Sequence, residues 1–331
     1  MQKQTTIRDI ARIIGMSEAT VSLALNGSPL VKEETREKVR RTADEMGYVP
    51  NTYARRLVLK RSGMVGLVVP DIENSYYATL VKELSEDMAS SGYSLSIFIS
   101  GNDPKKEERA ISDMISSRVE GIIYVPVNVS GSLNASQHLI KRSGIPAVCA
   151  TTRTDGMSCV LADLEGGMHT LVSHIMQASP KRVVYLSGPD GVYTLDVRHA
   201  AFLEAAAAYP VKIDVRHLSA VNYACACSAA EELLADLPDA IVCVNDFMAL
   251  GVVNLLIERG ISVPRDVVVT GFDDSVFSIA SPVPLTTVRQ DIRAIADETV
   301  SLLLRLIDAP AQEEPIIHRI PTTLVVRKST K

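Results

Sequence analysis

Residues 6–27 read TIRDIARIIGMSEATVSLALNG, two short helical patterns separated by a glycine. Thr6 and Asp9 stand at capping-box spacing: the Thr6 hydroxyl accepts from the Asp9 amide and the Asp9 carboxylate reaches back. Ile7, Ile10, Ala11 and Ile14 then recur at helical spacing, and Gly15 ends the helix. Ser17 caps a second helix, Glu18 to Leu25, with Val21 and Leu25 facing inward, and Asn26-Gly27 breaks it. A third helix is expected from Glu33 to Met46, with Val39, Ala43 and Met46 on its buried face and Gly47 closing it. Three helices in under 50 residues, the first two joined by a tight turn, form the helix-turn-helix pattern.

Charge distribution supports a DNA-reading role. The chain of 331 residues has a net charge of −5, which by itself argues against nucleic acid. Residues 1–61, however, carry 12 Lys and Arg against 7 Asp and Glu, a net of +5, so the remainder carries −10. A basic segment on an acidic body suits a DNA module attached to a sensor. No apolar leader or run of 18 apolar residues is visible, so no signal peptide, no membrane contact and a cytoplasmic location are expected. The five cysteines, at 149, 159, 225, 227 and 243, form no CxxC and are expected as free thiols; no metal site and no cofactor are expected.

From residue 62 the hydrophobic period changes. MVGLVVP, YSLSIFIS, GIIYVPV and IPAVCA read as strands, with helices expected over Tyr76–Gly92, around Lys105–Ser117 and near Gln137–Arg142. A second series follows: helix Gly166–Gln177, strand RVVYLSG, helix Arg198–Ala208, strand VKIDVRHL, helix Ala229–Leu237, strand AIVCVN, helix Met248–Arg259 and strand VVVTGFDD. Strands alternating with helices imply parallel sheets with right-handed crossovers. The expected fold class is therefore α/β: an N-terminal helix-turn-helix domain and a two-lobed sensor domain of two doubly wound parallel sheets. The expected divisions are 1–49 for the DNA module, 50–61 for a hinge helix and 62–331 for the sensor. Within the sensor, lobe 1 takes about 62–162 and 291–325, and lobe 2 about 163–290.

The segments IRDIARIIGMSEATVSLALNG and ETREKVRRTADEMGYVPNTYARRL closely resemble the start of the lactose/galactose repressor (LacI/GalR) family, whose usual run is DVA..AGVS..TVS..LN and then T...V...A..LGY.PN..AR.L. The resemblance implies a type I periplasmic-binding-protein architecture for the sensor. It also implies that the second helix enters the major groove, with Glu18, Ala19 and Leu23 at base-reading positions. Leu23 stands where the commonest pattern has Arg, which removes one bidentate grip on guanine; packing on the next helix is the other reading of this leucine. Thr20, Ser22 and Asn26 suit phosphate contacts, and the capping residues Thr6 and Ser17 join the expected DNA-contacting set. Asn51 caps a segment, Thr52 to Leu59, too short to be a stable helix alone. In the family it folds where two copies meet in the minor groove, which assigns Asn51, Ala54, Arg55 and Leu57 to DNA, Leu57 as an apolar wedge.

Ligands of doubly wound sheets bind beyond the carboxyl ends of the strands. DIENSYY follows the first strand there and resembles the family's NPFF stretch, so Asn74, Tyr76 and Tyr77 are candidate effector contacts. Thr152-Arg153 follows IPAVCA where the family often has Asp or Asn before Arg, and Arg198 matches the arginine of the family's R..GF. Asn245, Asp246, Asp273 and Gln290 end later strands, and Tyr223 aligns loosely with an aromatic that stacks on sugar in some relatives. Asp274 reads as a hinge or capping residue. A sugar or sugar phosphate is the implied effector, with a nucleobase or nucleoside as the alternative.

The expected protein is thus a homodimeric transcriptional regulator that binds pseudo-palindromic double-stranded operator DNA, with repression as the default and activation as the alternative. A free sugar-binding protein would have no use for residues 1–61. An enzyme is not expected, because no GxSxG, Walker loop or paired His/Asp constellation stands out.

Overall fold

The computed structural model describes residues 5–48, 62–127, 135–309 and 314–330. The chain divides into two compact units, Met1–Ser62 and Gly63–Lys331.

In the first unit, α1 (Ile7–Ile14), α2 (Glu18–Leu25) and α3 (Glu33–Glu45) surround Ile10, Ala11, Val21, Ala24, Val31, Val39 and Ala43. The caps set the turn between α1 and α2. Both halves of the Thr6–Asp9 capping box form, Gly15 adopts a left-handed conformation at φ 72°, and the Ser17 hydroxyl accepts from the Thr20 amide. Left-handed backbone costs glycine little, which is why the helix stops there. Ala24 is the fully buried residue on the last turn of α2, while Leu25 is only partly buried.

The second unit has two lobes. In lobe 1, β1 (Met64–Val69), β2 (Ser94–Ile99), β3 (Gly121–Tyr124), β4 (Ala147–Ala150), β5 (Ser158–Ala162) and β11 (Ile317–Ile320) form a six-stranded parallel sheet in the order β11-β5-β4-β3-β1-β2. Alternation along β1 sorts its side chains between two layers. Val65, Leu67 and Val69 pack in the core shared with α4 (Ser75–Ser90) and α12 (Ile292–Asp308), and Val68 joins Ile111 and Met114 of α5 (Pro104–Ser116) on the other face. Gly66 lies on that second face, where a Cβ would come within 2.6 Å of Met114 Sδ. Helix α6 (Ala135–Ser143) adds Ile140 to the same layer.

Lobe 2 has a four-stranded parallel sheet in the order β7-β6-β8-β9, from β6 (Arg182–Ser187), β7 (Lys212–His217), β8 (Ala240–Cys243) and β9 (Val268–Thr270). Its helices are α7 (Leu164–Met176) paired with α8 (Tyr193–Ala206), and α9 (Tyr223–Leu233) paired with α10 (Asp246–Glu258), followed by the short α11 (Val276–Ala280). A two-stranded antiparallel ribbon of β10 (Thr287–Gln290) and β12 (Thr322–Val325) packs against α7.

The chain passes between lobes at 162–164, 290–292 and 320–322. Asp163 ties two of these passages together: its amide donates to Ile320 O at 2.8 Å, and its carbonyl accepts from Thr322 Oγ1 at 2.9 Å.

Several expectations need correction. Lobe 1 does not extend to residue 325. The chain returns to lobe 2 after Ile320, and Ser329 and Thr330 are buried there against Val269, Thr286 and His174. Helix α9 starts at Tyr223 rather than Ala229, because the Asn222 side chain caps it by accepting from the Cys225 amide. Helix α8 starts at Tyr193, before Arg198. Strand β5 and the β10–β12 ribbon were not among the expected strands. The described cysteines are free, with Cys149, Cys159 and Cys243 buried. Among the described residues, no helix is long and apolar enough to cross a membrane.

Candidate functional site

In the DNA-module unit, the face of α2 that turns away from Val21 and Ala24 presents Glu18, Ala19, Leu23 and Asn26 as exposed residues, with Thr20 and Ser22 half-buried. Leu23 is 40% exposed and stands outside the three-helix core, which removes the packing explanation for it. The Glu18 carboxylate already accepts from Arg8 Nε at 2.9 Å, but both side chains are exposed, and so open a pair is easily exchanged for a base or phosphate. Ser17 and Thr20 share a hydroxyl–hydroxyl contact of 2.8 Å at the N-terminus of α2, and Thr6 is exposed at that of α1. Asn51, Ala54, Arg55 and Leu57 lie outside the described residues.

The second site is a cavity of about 440 Å³ between the lobes of the sensor unit, within the usual range for small ligands. Lobe 1 contributes Asn74, Tyr76 and Tyr77 from the start of α4, Asn102 from the end of β2, and Thr151 from the end of β4. Across from them, lobe 2 contributes Arg198, Asn245 and Asp273, with Gln290 at the crossing into α12. Leu164, Val192, Leu195 and Val221 supply apolar wall.

Asn74 and Asn245 are helix caps as well as lining residues. Asn74 Oδ1 accepts from the Tyr76 amide at 3.0 Å, and Asn245 Oδ1 from the Met248 amide at 2.9 Å. Capping fixes the rotamer through the oxygen, so each side-chain NH₂ remains available to a ligand.

Arg198 is 7% exposed and held on several sides. Its Nε donates to Thr194 O at 3.0 Å and its Nη1 to Val244 O at 2.6 Å, while its guanidinium lies over the Phe272 ring, 4.8 Å from the centroid. Nη1 also lies 3.5 Å from Asp273 Oδ1, which accepts from Gln290 Nε2 at 2.6 Å. Burial pushes the Asp273 carboxyl up to about 6, against the opposing pull of Arg198 and Gln290. Burial likewise pushes the Tyr77 phenol up to about 12, and that of Tyr76 higher still, so both rings are neutral donors at physiological pH. Three lining residues that are not glycine hold left-handed backbone: Asn102 at φ 57°, Thr151 at 70° and Asp273 at 103°. Such conformations cost roughly 1–3 kcal/mol each and gather at ligand clamps.

The structure thus brings together Asn74, Tyr76, Tyr77, Arg198, Asn245, Asp273 and Gln290. It places four other expected contacts elsewhere. Thr152 is buried, its carbonyl accepting from Cys149 Sγ at 3.0 Å, and its neighbour Thr151 lines the cavity instead. Arg153 is exposed and does not line the cavity. Tyr223 packs its ring against Phe247, with centroids 6.0 Å apart, and its hydroxyl accepts from Asn254 Nδ2 at 3.0 Å. Asp246 is 1% exposed and sits behind the wall. Asn102 was legible only as the residue after the β2 glycine, Gly101, at a strand end.

Asp246 has a measurable consequence. Burial, with repulsion from Asp273 second, pushes its carboxyl up to about 8. The folded state therefore holds this proton between about pH 4 and 8 where the unfolded chain has released it. Stability from this group is complete below pH 4 and is lost as pH rises towards 8, with a slope of up to about 1.4 kcal/mol per pH unit. In urea unfolding between pH 5 and 8, Asp246→Asn is expected to flatten that decline; an unchanged slope refutes it. Asp273, raised to about 6, adds a smaller decline of the same sign below pH 6 that the variant keeps.

Comparison with known proteins bears on both sites. Residues 6–51 match the description of bacterial regulatory proteins of the lacI family, and residues 172–330 match a periplasmic binding protein-like domain. Catabolite control protein A of Priestia megaterium is 32% identical, over 98% of this chain and 99% of its own length. The chain belongs to the lacI family of bacterial regulatory proteins. Its membership makes it a DNA-binding transcriptional regulator rather than an enzyme. A lac repressor dimer bound to operator and the anti-inducer ONPF has the same fold, with a TM-score of 0.89 covering 99% of each chain at 24% identity. A complex of the transcriptional regulator CelR with cellobiose superposes with a TM-score of 0.73 at 26% identity, covering 98% of this chain and 100% of that one. The lacI-family assignment accounts for both features, an exposed helix-turn-helix face and a polar cavity between two lobes.

Proposed function

We propose that this cytoplasmic regulator represses transcription by binding a pseudo-palindromic operator as a homodimer, and that an uncharged sugar in the interlobe cavity controls that binding. The observation that carries the ligand class is the charge balance of the lining. Arg198 is its one described Arg or Lys, and the same lining holds two acids, Asp273 and Asp71. A phosphate ester would need more cations, and Arg153, the other candidate, lies off the cavity. Asparagine amides, a glutamine, two neutral phenols and a partly neutralised arginine–aspartate pair suit hydroxyl groups, which both donate and accept. The cellobiose bound by CelR agrees with this class.

A thermal-shift screen of neutral sugars, sugar phosphates and nucleosides tests the reading. A neutral mono- or disaccharide at 100 times its dissociation constant should add about 2.7 kcal/mol of stability. Stabilisation by phosphorylated sugars or nucleosides alone would overturn the ligand class.

The hinge segment carries a separate prediction. Arg55, Arg56 and Lys60 attract phosphate on any DNA, whereas the Leu57 wedge works where a central base step unstacks. Leu57→Ala is expected to weaken operator binding by about 1–3 kcal/mol, as one mismatched base pair does. Affinity for random DNA of equal length should hold, and DNA bending measured by fluorescence transfer should fall. Equal losses on both DNAs, or an unchanged bend, would assign Leu57 to packing alone.

A further inference from the structure

Asp273 and Asp274 are adjacent non-glycine residues in left-handed backbone, at φ 103° and 53°. Two strained residues in a row hold their shape only where neighbours over-determine them. The neighbour behind this turn is Asp246, which does not reach the cavity.

Asp246 touches the turn on both sides of the strained pair. Its amide donates to Phe272 O at 2.9 Å, and its Oδ2 accepts from the Ser275 amide at 2.6 Å. Its Oδ1 accepts from Thr287 Oγ1 at 2.6 Å, and that hydroxyl in turn lies 3.3 Å from the Asp274 amide, which donates to it. The carboxyl also fills the space over Gly271, where a Cβ would fall 2.2 Å from Oδ1. Residues 271, 274 and 275 are thus fitted to one carboxyl group, directly or through Thr287, and Phe272 to the main-chain amide of the same residue. Asp246 has no cation partner among the described ion pairs, so its burial is not repaid by charge pairing.

We propose that Asp246 is a positioning residue for the effector site, holding the strained 272–275 turn so that the Asp273 carboxyl stands beside Arg198 and Gln290 in the cavity. This role rests on the reading of the cavity as the effector site, but the contacts that define it exist without ligand. The group acts through two hydrogen bonds, one accepted from the Ser275 amide and one shared with the Thr287 hydroxyl. An asparagine at this position keeps both heavy-atom contacts, its oxygen accepting from Ser275 and its NH₂ meeting the Thr287 hydroxyl. Alanine keeps neither.

The test is amide hydrogen exchange on the full-length, ligand-free chain. It reads Gly271 and Asp273, whose amides donate to Thr286 O and Val288 O and so lose no acceptor in the variants. Strand β6, at the centre of the same lobe, is the internal reference. Asp246→Ala and Thr287→Val are expected to speed exchange at Asp273 by ~10-fold or more while Arg182–Ser187 stays unchanged, the signature of local opening. Asp246→Asn should stay within about threefold of wild type. Uniform acceleration through lobe 2, no acceleration at Asp273, or an asparagine variant as fast as alanine would overturn the positioning role. If Asp246→Ala does not fold, Thr287→Val and Asp246→Asn decide the question. Because no sugar is present, failure here leaves the effector reading untouched, and a failed sugar screen leaves this result standing.

Discussion

Arg198→Met should weaken sugar binding by about 2–5 kcal/mol, roughly 30- to 5,000-fold, and leave operator affinity in the absence of ligand within about threefold of wild type. The size follows from the burial of the site. The guanidinium is fixed by Thr194 O, Val244 O and the Phe272 ring, so it meets a ligand without further ordering. Its removal also takes the cation from Asp273, whose carboxyl burial already pushes up to about 6; without Arg198 that carboxyl is pushed higher. Both of the proposed sugar contacts would therefore change together. Methionine retains most of the stem packing, and Asp273→Asn, which keeps the Gln290 contact and the shape, separates the carboxylate's share. Calorimetry on wild type and both variants measures the effect. Unchanged affinity in Arg198→Met and Asp273→Asn would remove the cavity's arginine–aspartate pair from the ligand site.

Salt should have a comparable effect on the other half of the molecule. Residues 1–61 carry +5 in each chain, and two chains on one operator bring their basic residues to many phosphates. Each neutralised phosphate releases condensed counterions. With 6–10 contacts, affinity falls by roughly 10³–10⁵ between 50 and 200 mM salt. Fluorescence anisotropy on operator across that range should give a steep linear decline of log affinity against log salt. The acidic remainder, −10 per chain, makes no such contribution, so sugar affinity should be nearly flat over the same range. A flat operator response would mean that the basic segment does not track the DNA backbone.

The parts of this molecule that sequence shows clearly are those specified by near neighbours in the chain. The α1–turn–α2 unit is set by Thr6 with Asp9, Gly15, and Ser17 with Thr20, all within a few residues, and its boundaries follow directly. Asp273 was legible because it follows a strand end, and Arg198, inside α8, because it matches the arginine of the family's R..GF. Strand β5 and the β10–β12 ribbon were not: each strand is only four or five residues long, β5 lies between β4 and the distant β11, with Cys159 opposite Ile317, and β10 pairs with the distant β12, with Val288 opposite Leu324. The choice between Thr151 and Thr152 turns on a single left-handed φ that no local pattern announces. Tyr223 looked like a stacking ring until Phe247 and Asn254 were found to occupy it. Asp246, next to a lining asparagine, could be recognised as support rather than contact only once Thr287 and Ser275 were seen beside it.

In the proposed function, one chain couples a neutral sugar between the lobes to operator DNA at residues 1–61. Operator affinity measured at fixed salt with and without a saturating concentration of the sugar found in the screen tests it most directly. Operator affinity is expected to shift roughly 5- to 150-fold, matched by an equal change in sugar affinity when operator is present, and the shift is expected to be absent in Arg198→Met. A sugar that binds in the cavity with the affinity expected of an effector and leaves operator affinity unchanged would contradict it.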